Sequence, residues 1–175
     1  MRPICEEIVA MTIRKATPAD LAEILSIYAD ARAFMVRTDN PRQWAARNWP
    51  PESLIRQDIA REKCYVCQDE REILAVFYYD YGEDIDATYR KIENGNWLND
   101  GPYGVVHRIA ARCGSGAGRY CIQWAFEQCG HLRIDTHGDN TVMQKVLRKL
   151  GFICCGIIHV AEDHDPRLAY EKTKE

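Results

Sequence analysis

Residues 103–152 decide the fold, and they read YGVVHRIAARCGSGAGRYCIQWAFEQCGHLRIDTHGDNTVMQKVLRKLGF. Near the start of this stretch, the β-branched residues Val105, Val106 and Ile109 predict a buried strand. The strand enters a glycine-rich turn, GSGAG at residues 114–118, and a helical pattern begins at once. A turn of this kind presents unpaired N–H groups together with the positive end of a helix dipole. It therefore predicts a phosphate-binding site.

Three further elements follow the turn. The first helix is predicted to bury one face, formed by Tyr120, Cys121, Trp124 and Ala125. A second strand is predicted over 132–136. A second helix then begins near Asn140, which is a good N-cap residue, and ends at Gly151 and Phe152.

Other kinds of glycine-rich site fit the turn less well. A P-loop needs Gly-Lys-Ser/Thr after its first glycine and four spacers, and the sequence has no such pattern. In the dinucleotide fingerprint the third glycine stands one residue later than it does in GSGAG. A glycine-rich connector without a ligand is the remaining alternative, and the order of the surrounding elements weighs against it.

This order resembles the acyl-CoA-binding half of the GNAT superfamily, the Gcn5-related N-acetyltransferases. The likeness is carried by GSGAG between strand and helix, by Asn140 at the start of the next helix, and by KLGF at 149–152. More weakly, it extends over residues 12–171. The resemblance implies a mixed α/β (α+β) fold, with a mainly antiparallel central sheet of six to seven strands. Helices flank this sheet, which is splayed at a central parallel pair.

The rest of the chain supplies the remaining elements of such a fold. Strands are predicted over 11–16, 65–68, 73–79, 152–160 and 167–171, and helices begin at 17–20 and 51–52. Residues 84–100 form an insertion with a short helical pattern, where the family often has a tight hairpin. We expect one domain over 11–175, preceded by an N-terminal extension, residues 1–10, that could be disordered.

The resemblance implies acetyl-CoA as co-substrate and places its contacts on backbone groups. Ile109 and Ala110 fall where the family's strand holds the pantetheine arm and the thioester oxygen. Asn140 matches the family's cofactor-contacting asparagine, although it could merely cap its helix. The pyrophosphate would be surrounded by Arg112, Cys113, Gly114, Ser115, Gly116, Ala117, Gly118 and Arg119. Cys113 departs from the usual Gln or Arg, which leaves Arg112 or Arg119 to supply a charge contact.

Histidines are the candidates for the general base. His107 precedes the expected thioester-binding residues on the same strand, and imidazole titrates near neutral pH. The alternative for His107 is a histidine packed within the sheet. His137 is the second candidate, with Asp135 to orient it, although a surface position is the alternative. No general acid is assigned, because Leu147 stands where many family members have a tyrosine; Tyr120, Cys121 or water could serve instead.

Four aromatic residues are candidates for binding the acceptor. In the resembled family the connection between the first two helices borders the acceptor pocket, which makes Trp44 and Trp49 candidates; they could equally close the core. Tyr89 and Trp97 lie in the insertion, where they could either meet the acceptor or pack the insertion onto the sheet.

Charge and cysteine usage limit the partners. A net charge of −3 argues against nucleic acid or a membrane surface as the main partner. The eight cysteines lack a zinc-site pattern, and Cys64 and Cys67 should point to opposite faces of one strand. We therefore expect no metal and a reduced, cytoplasmic protein. The closing strands could offer an edge for a homodimer.

The resemblance thus implies an N-acetyltransferase that moves the acetyl group of acetyl-CoA directly to a primary amine. The acceptor would be a small molecule or a peptide, and polyamines, amino acids, aminoglycosides and protein termini all remain open. The main alternative is a non-catalytic acyl-CoA sensor or interaction module. A covalent cysteine route through Cys113 or Cys121 and a nucleotide-binding enzyme are further alternatives.

Overall fold

A single seven-stranded sheet runs through the computed structural model, which describes residues 10–163 and 165–174. Its strands are β1 (Thr12–Lys15), β2 (Cys64–Gln68), β3 (Ile73–Gly82), β4 (Tyr103–Ala111), β5 (His131–His137), β6 (Ile153–His159) and β7 (Pro166–Thr173). The spatial order is β1-β2-β3-β4-β5-β7-β6. The helices are α1 (Leu21–Arg37), α2 (Glu52–Ala60), α3 (Ala117–Cys129) and α4 (Thr141–Lys149), with short 3-10 turns at Pro18–Asp20, Ala45–Arg47 and Ala87–Tyr89. The predicted extension, residues 1–10, lies outside the described residues except for Ala10.

The sheet is antiparallel everywhere except between β4 and β5, which are parallel. These two strands pair only at Gly104 with Leu132 and at Val105 with Arg133. Beyond Val105 they diverge, while β5 continues to pair with β7 along its whole length. The predicted fold class, including the splay at a central parallel pair, is therefore confirmed.

A bulge in β4 lies where the strand leaves β5. Tyr78 of β3 pairs with His107 and Val76 pairs with Ala110, so three steps along β4 face two along β3. Arg108 takes the extra position, with a φ of 51° in the left-handed region. The hydroxyl of Tyr28 donates to the Arg108 carbonyl at 2.7 Å. A helix-borne hydroxyl thus holds the bulge from one face of the sheet.

The helices cover the two faces of the sheet and create two cores. On one face α1 and α2 bury side chains such as Ile24, Ile27 and Ile55. On the other face α3 and α4 bury Ile122 and Leu147. Cys64 joins the first core and Cys67 the second, so the predicted divergence of these two thiols is confirmed. The seven cysteines within the described ranges are all free thiols.

One expectation about α3 is wrong. Cys121 and Ala125 are buried against the sheet as predicted, but Tyr120 is 39% exposed. The sheet-facing stripe runs through Ile122 instead, because Tyr120 lies on the flank of the helix. Its hydroxyl donates to the backbone carbonyl of Met11 at 3.0 Å, where it ties α3 to the chain before β1.

The insertion, residues 84–100, contains one 3-10 turn at Ala87–Tyr89 and an isolated antiparallel bridge between Glu93 and Ile157 of β6, and otherwise forms a loop. Buried charges hold it against the sheet. Glu171 of β7 is 0% exposed and accepts hydrogen bonds from Arg133, at 3.0 Å, and from the backbone N–H of Leu98. Arg133 also lies over the Trp97 ring, 4.2 Å from its centroid. Trp97 therefore packs the insertion onto the sheet, which was the structural alternative for this residue.

The described residues contain neither a membrane-spanning helix nor a metal-binding group. No helix in 10–163 or 165–174 is long and apolar enough to cross a membrane. Over the same ranges, no three His, Cys, Asp or Glu side chains come together as a metal-binding group.

Candidate active site

Two cavities adjoin at the point where β4 and β5 separate. The first, which we call the long cleft, measures about 690 Å³ and runs between α1, the end of β4 and the start of α3. The second, the inner cavity, measures about 230 Å³ and contains His107, Trp44 and Asp135 in its lining. Four residues line both cavities: Met35, Ile109, Asn140 and Met143. A ligand that lies in the long cleft can therefore reach the inner cavity at the splay.

The glycine-rich turn forms one end of the long cleft. Gly114 and Gly116 have φ values of +74° and +73°, and a Cβ atom at either position would meet no other atom within 4 Å. Ser115 holds the turn, since its hydroxyl donates to the Arg112 carbonyl at 2.7 Å. Among the described residues, five backbone N–H groups here have no hydrogen-bond acceptor: those of Cys113, Gly114, Gly116, Gly118 and Arg119.

These free N–H groups stand at the N-terminus of α3, where the helix dipole adds positive potential. An open bend with unpaired donors suits a phosphate group, because buried or ligand-facing N–H groups need acceptors. Ala117 contributes less, since its own N–H donates to the Ser115 hydroxyl at 3.2 Å. This cradle of free N–H groups at the turn therefore suits a phosphate group, as the sequence predicted, and is compatible with the diphosphate that the resemblance implies.

The two arginines beside the turn differ in their engagement. Arg112 forms an ion pair with Glu72 at 3.0 Å, and its Nε donates to the Ile73 carbonyl at 2.9 Å. Glu23 lies 3.5 Å away on the same guanidinium. Arg119 is exposed and has no ion-pair partner in the described part of the chain. Of the two candidates for a charge contact, Arg119 is the one whose charge is still available.

The remaining cofactor candidates lie along the same path. Ile109 and Ala110 line the long cleft just after the bulge, and Ile109 also faces the inner cavity. Asn140 caps α4, since its Oδ1 accepts the Met143 N–H at 3.0 Å. Its Nδ2 donates to Gln43 at 3.0 Å. The Asn140 side chain thus serves as a helix cap and also lies at the junction of the two cavities.

His107 lies in the inner cavity between two carboxylates. Its Nε2 is 2.7 Å from Asp86 Oδ2, and its Nδ1 is 3.7 Å from Asp135 Oδ1. The side chain is 22% exposed, so a ligand in the cavity can reach the ring. An imidazole whose Nε2–H is held by a carboxylate presents Nδ1 as a proton acceptor, which is the arrangement that a general base needs.

Tyr89 contributes to the site through Asp135. Its hydroxyl donates to Asp135 Oδ1 at 2.8 Å, while the residue itself is 1% exposed and does not line either cavity. Trp44 and Trp49 do line the inner cavity, and Trp44 also packs edge-to-face on Tyr28. Two of the four aromatic candidates therefore line the inner cavity, while Tyr89 lies behind Asp135 and Trp97 lies outside the cavity.

His137 lines neither cavity. It is buried, its Nε2 is 3.0 Å from Asp165, and its Nδ1 accepts the Asp139 N–H at 3.1 Å. Asp165 also pairs with Arg42 at 2.6 Å. His137 thus anchors the contact between the segments around Arg42 and Asp165, and Asp135 faces His107 instead.

Tyr120 and Cys121, the two candidates for a general acid, line neither cavity. The Tyr120 hydroxyl is committed to Met11, as described above. Cys121 is wholly buried in the core, and its hydrogen bond to the Cys67 thiol together with burial raises the pKa of the Cys121 thiol. Among the described residues that line the two cavities, none is a tyrosine.

Asp86 is ionised over the whole neutral range. Burial raises the pKa of this carboxyl, but the hydrogen bond to His107, the charge of His107 and two hydrogen bonds from Thr88 outweigh it. Together they lower the pKa of Asp86 to about 2. A partner that keeps its negative charge fixes the orientation of the imidazole ring.

This lowered pKa predicts a change in acid stability. The pKa of an aspartate in the unfolded chain is about 3.9. Ionised Asp86 therefore stabilises the fold above roughly pH 4, and this contribution is lost as the pH falls towards about 2. In Asp86→Asn the free energy of unfolding should therefore fall less steeply between about pH 5 and pH 2 than in the wild type. Urea denaturation over this range measures the slope. Asp100→Asn, an exposed carboxylate, is the control, and parallel curves for all three proteins would contradict the assignment.

Several residues of the site carry no sequence signal that points to them. Asp86 lies in the insertion and reaches His107 only through tertiary folding. Gln43 and Arg47 lie in the segment between α1 and α2, where the resemblance pointed to the tryptophans instead. These residues come together only because the insertion and the segment between α1 and α2 both fold over the splay. A periodic sequence pattern does not predict how such connections fold.

Comparisons with known proteins identify the family. A family model described as an acetyltransferase (GNAT) domain matches residues 10–153. A GNAT-family acetyltransferase from Streptococcus agalactiae is 31% identical, with a TM-score of 0.85 over 94% of this chain and 96% of that chain.

More distant structures share the fold alone. A putative acetyltransferase from Staphylococcus aureus is 21% identical, with a TM-score of 0.66 over 93% of this chain and 98% of that chain. The ribosomal-protein-S18-alanine N-acetyltransferase of Escherichia coli is 13% identical, with a TM-score of 0.61 over 95% and 96%. A search of curated proteins found no match. The family model and the Streptococcus agalactiae structure both span most of the chain, and the protein therefore belongs to the GNAT acetyltransferase family.

Proposed function

We propose that the protein transfers the acetyl group of acetyl-CoA directly to a primary amine of a small-molecule or peptide acceptor. One observation carries the proposal. A cleft that ends in a cradle of free N–H groups adjoins a cavity that holds a carboxylate-paired histidine, and the two meet at Ile109. A donor and an acceptor could each occupy one cavity and meet at the splay, which is the positioning that a direct transfer requires.

Each part of the long cleft has a distinct role in this proposal. Acetyl-CoA supplies an activated acetyl thioester. The amides of Gly116, Gly118 and Arg119 would hold its diphosphate, and the β4 backbone after the bulge would bind the pantetheine arm. At that point β4 has parted from β5, so backbone groups on its free edge are available to a ligand.

In the inner cavity His107 acts as the general base. The amine loses a proton to Nδ1 of His107 as the new C–N bond forms and the C–S bond breaks. Asp86 holds Nε2 and stabilises the imidazolium that results. Asp135, which keeps one oxygen on the Tyr89 hydroxyl, accepts an N–H of the incoming amine with the other. The departing thiolate takes its proton from water, since a thiol pKa near 8.5 makes an unassisted thiolate a tolerable leaving group.

Thiol release is the test that separates catalysis from sensing. Wild-type protein and His107→Gln are incubated with acetyl-CoA and a panel of primary amines, and free CoA is measured over time. We expect amine-dependent release by the wild type and a large loss in the variant. Tight binding of acetyl-CoA with no amine-dependent release over the whole panel would favour the acyl-CoA sensor and overturn the proposal.

A further inference from the structure

The inner cavity contains hydrogen-bond donors that the transfer chemistry does not use. Gln43 lines this cavity, and its Oε1 accepts from Asn40 Nδ2 and from Asn140 Nδ2, both at 3.0 Å. The Met143 N–H orients the Asn140 amide by donating to its Oδ1, so the Nδ2 of Asn140 fixes which end of the Gln43 amide is the oxygen. The Gln43 NH₂ group has no acceptor among the described residues, so it remains free to donate to a ligand.

Arg47 is the second unused donor. It lines the same cavity, is exposed, and has no ion-pair partner within the described ranges. Its charge acts on Asp163, which lines the same cavity, but Arg167 already engages that carboxylate through two hydrogen bonds. The positive charge of Arg47 is therefore not neutralised by a pair of its own.

The other charges of the inner cavity are either paired or acidic. Arg108 is bound by Asp58 at 2.8 and 3.0 Å, which neutralises it. Asp86 and Asp135 flank His107, and Glu162 is exposed in the lining. The cavity thus presents free donors of positive character on the segment between α1 and α2, and carboxylates on the insertion and on β5. A ligand that carries both a cation and an anion complements these two sets of groups.

The size of the inner cavity favours a small ligand. Its volume of about 230 Å³ lies below the 300–1,000 Å³ or so that is usual for pockets that enclose drug-sized molecules. A free amino acid fits this space, whereas a longer chain would have to extend out of it.

We propose that the acceptor is a free amino acid. Its amine faces His107 and Asp135, while its carboxylate is bound by the Arg47 guanidinium and the Gln43 amide. An arginine–carboxylate contact is a charge-assisted hydrogen bond. An amine that lacks a carboxylate would leave Arg47 without an anionic partner, so the cavity selects against such amines. The inference rests on the proposed acetyl transfer and names the class of acceptor for it.

Matched substrates test this inference. Free amino acids are compared with the corresponding carboxamides, with the corresponding decarboxylated amines and with dipeptides that carry the same N-terminal residue; kcat/KM is measured by CoA release. The carboxamide keeps the amine but loses the charge-assisted contact to Arg47, so kcat/KM for the free amino acid should exceed that for its carboxamide by about 10-fold or more. A preference for dipeptides would indicate a peptide N-terminus and overturn the inference.

Three variants test which residues determine the preference for a free amino acid over its carboxamide. Arg47→Gln should reduce the ratio between free amino acid and carboxamide by about 10-fold, mainly through KM. Gln43→Glu keeps the oxygen that Asn40 and Asn140 bind but replaces the NH₂ group with a second, negative oxygen, so it should shift the preference towards decarboxylated amines. Arg56→Gln, on an exposed arginine of α2 that pairs with Glu52, should keep the wild-type ratio.

The outcomes separate this inference from the proposed function. Turnover of amines without a carboxylate preference, or a preference that survives in Arg47→Gln, overturns the amino-acid assignment and leaves acetyl transfer intact. An absence of CoA release with every amine overturns both.

Discussion

Replacement of His107 by glutamine is expected to lower kcat by about 10²- to 10⁴-fold, the usual contribution of a positioned general base. Glutamine preserves a hydrogen-bonding group near Asp86 but cannot take a proton from the amine at neutral pH. The KM for acetyl-CoA should change little, because the free amides of the turn lie in the other cavity. Steady-state CoA release with a saturating amine measures both constants.

His159→Gln is the matched control for this substitution. His159 is an exposed histidine that lies 3.4 Å from Glu93 and lines neither cavity, so its loss should leave kcat at the wild-type level. A decrease of less than tenfold in His107→Gln, with the fold intact by circular dichroism, would mean that water or another group removes the proton. That result would contradict the role assigned to His107.

Gly116→Val is expected to raise the KM for acetyl-CoA by about 10- to 100-fold. A φ of +73° is strained for any residue with a Cβ, and most strained for a β-branched one. Relief of that strain rotates the peptide planes and turns the free N–H groups away from the cleft. Each hydrogen bond to a charged group contributes about 1.5–3 kcal/mol, so the loss of one bond accounts for the expected change.

Two control variants distinguish a loss of the phosphate-binding N–H groups from a loss of stability. Gly151→Val places the same side chain at a φ of +83° just after α4, where a Cβ would meet nothing nearer than Lys172 at 3.8 Å. It should lower the melting temperature as Gly116→Val does, but leave the KM for acetyl-CoA near the wild-type value. Arg119→Ala should raise this KM less than Gly116→Val. An equal or larger effect of Arg119→Ala would contradict the assignment of binding to the backbone.

The elements of this fold were predictable because their signals are local. The β-branched run of β4, the glycines at its end and the Asn140 cap each lie within one element or one turn. The structure places those elements close to where the pattern predicted them. The splay and the parallel pair were predicted from the resemblance alone, because the sequence of one strand does not determine which strand pairs with it.

The site was predictable only where a residue shares an element with such a signal. His107 could be proposed because it lies on β4, two residues before Ile109. Its partner Asp86 could not, because 21 residues separate the two and the insertion folds over the sheet before they meet. For the same reason the sequence did not separate His137, which anchors a loop contact, from a catalytic histidine. Gln43 became visible only through its hydrogen bonds to two asparagines.

The most direct test of the account is a crystal structure of the protein with bound acetyl-CoA. We expect diphosphate oxygens within hydrogen-bonding distance of the Gly116 and Gly118 amides, and an acetyl group beside Ile109 that faces the His107 ring. Coenzyme A bound outside the long cleft, or an acetyl group directed away from the inner cavity, would contradict it.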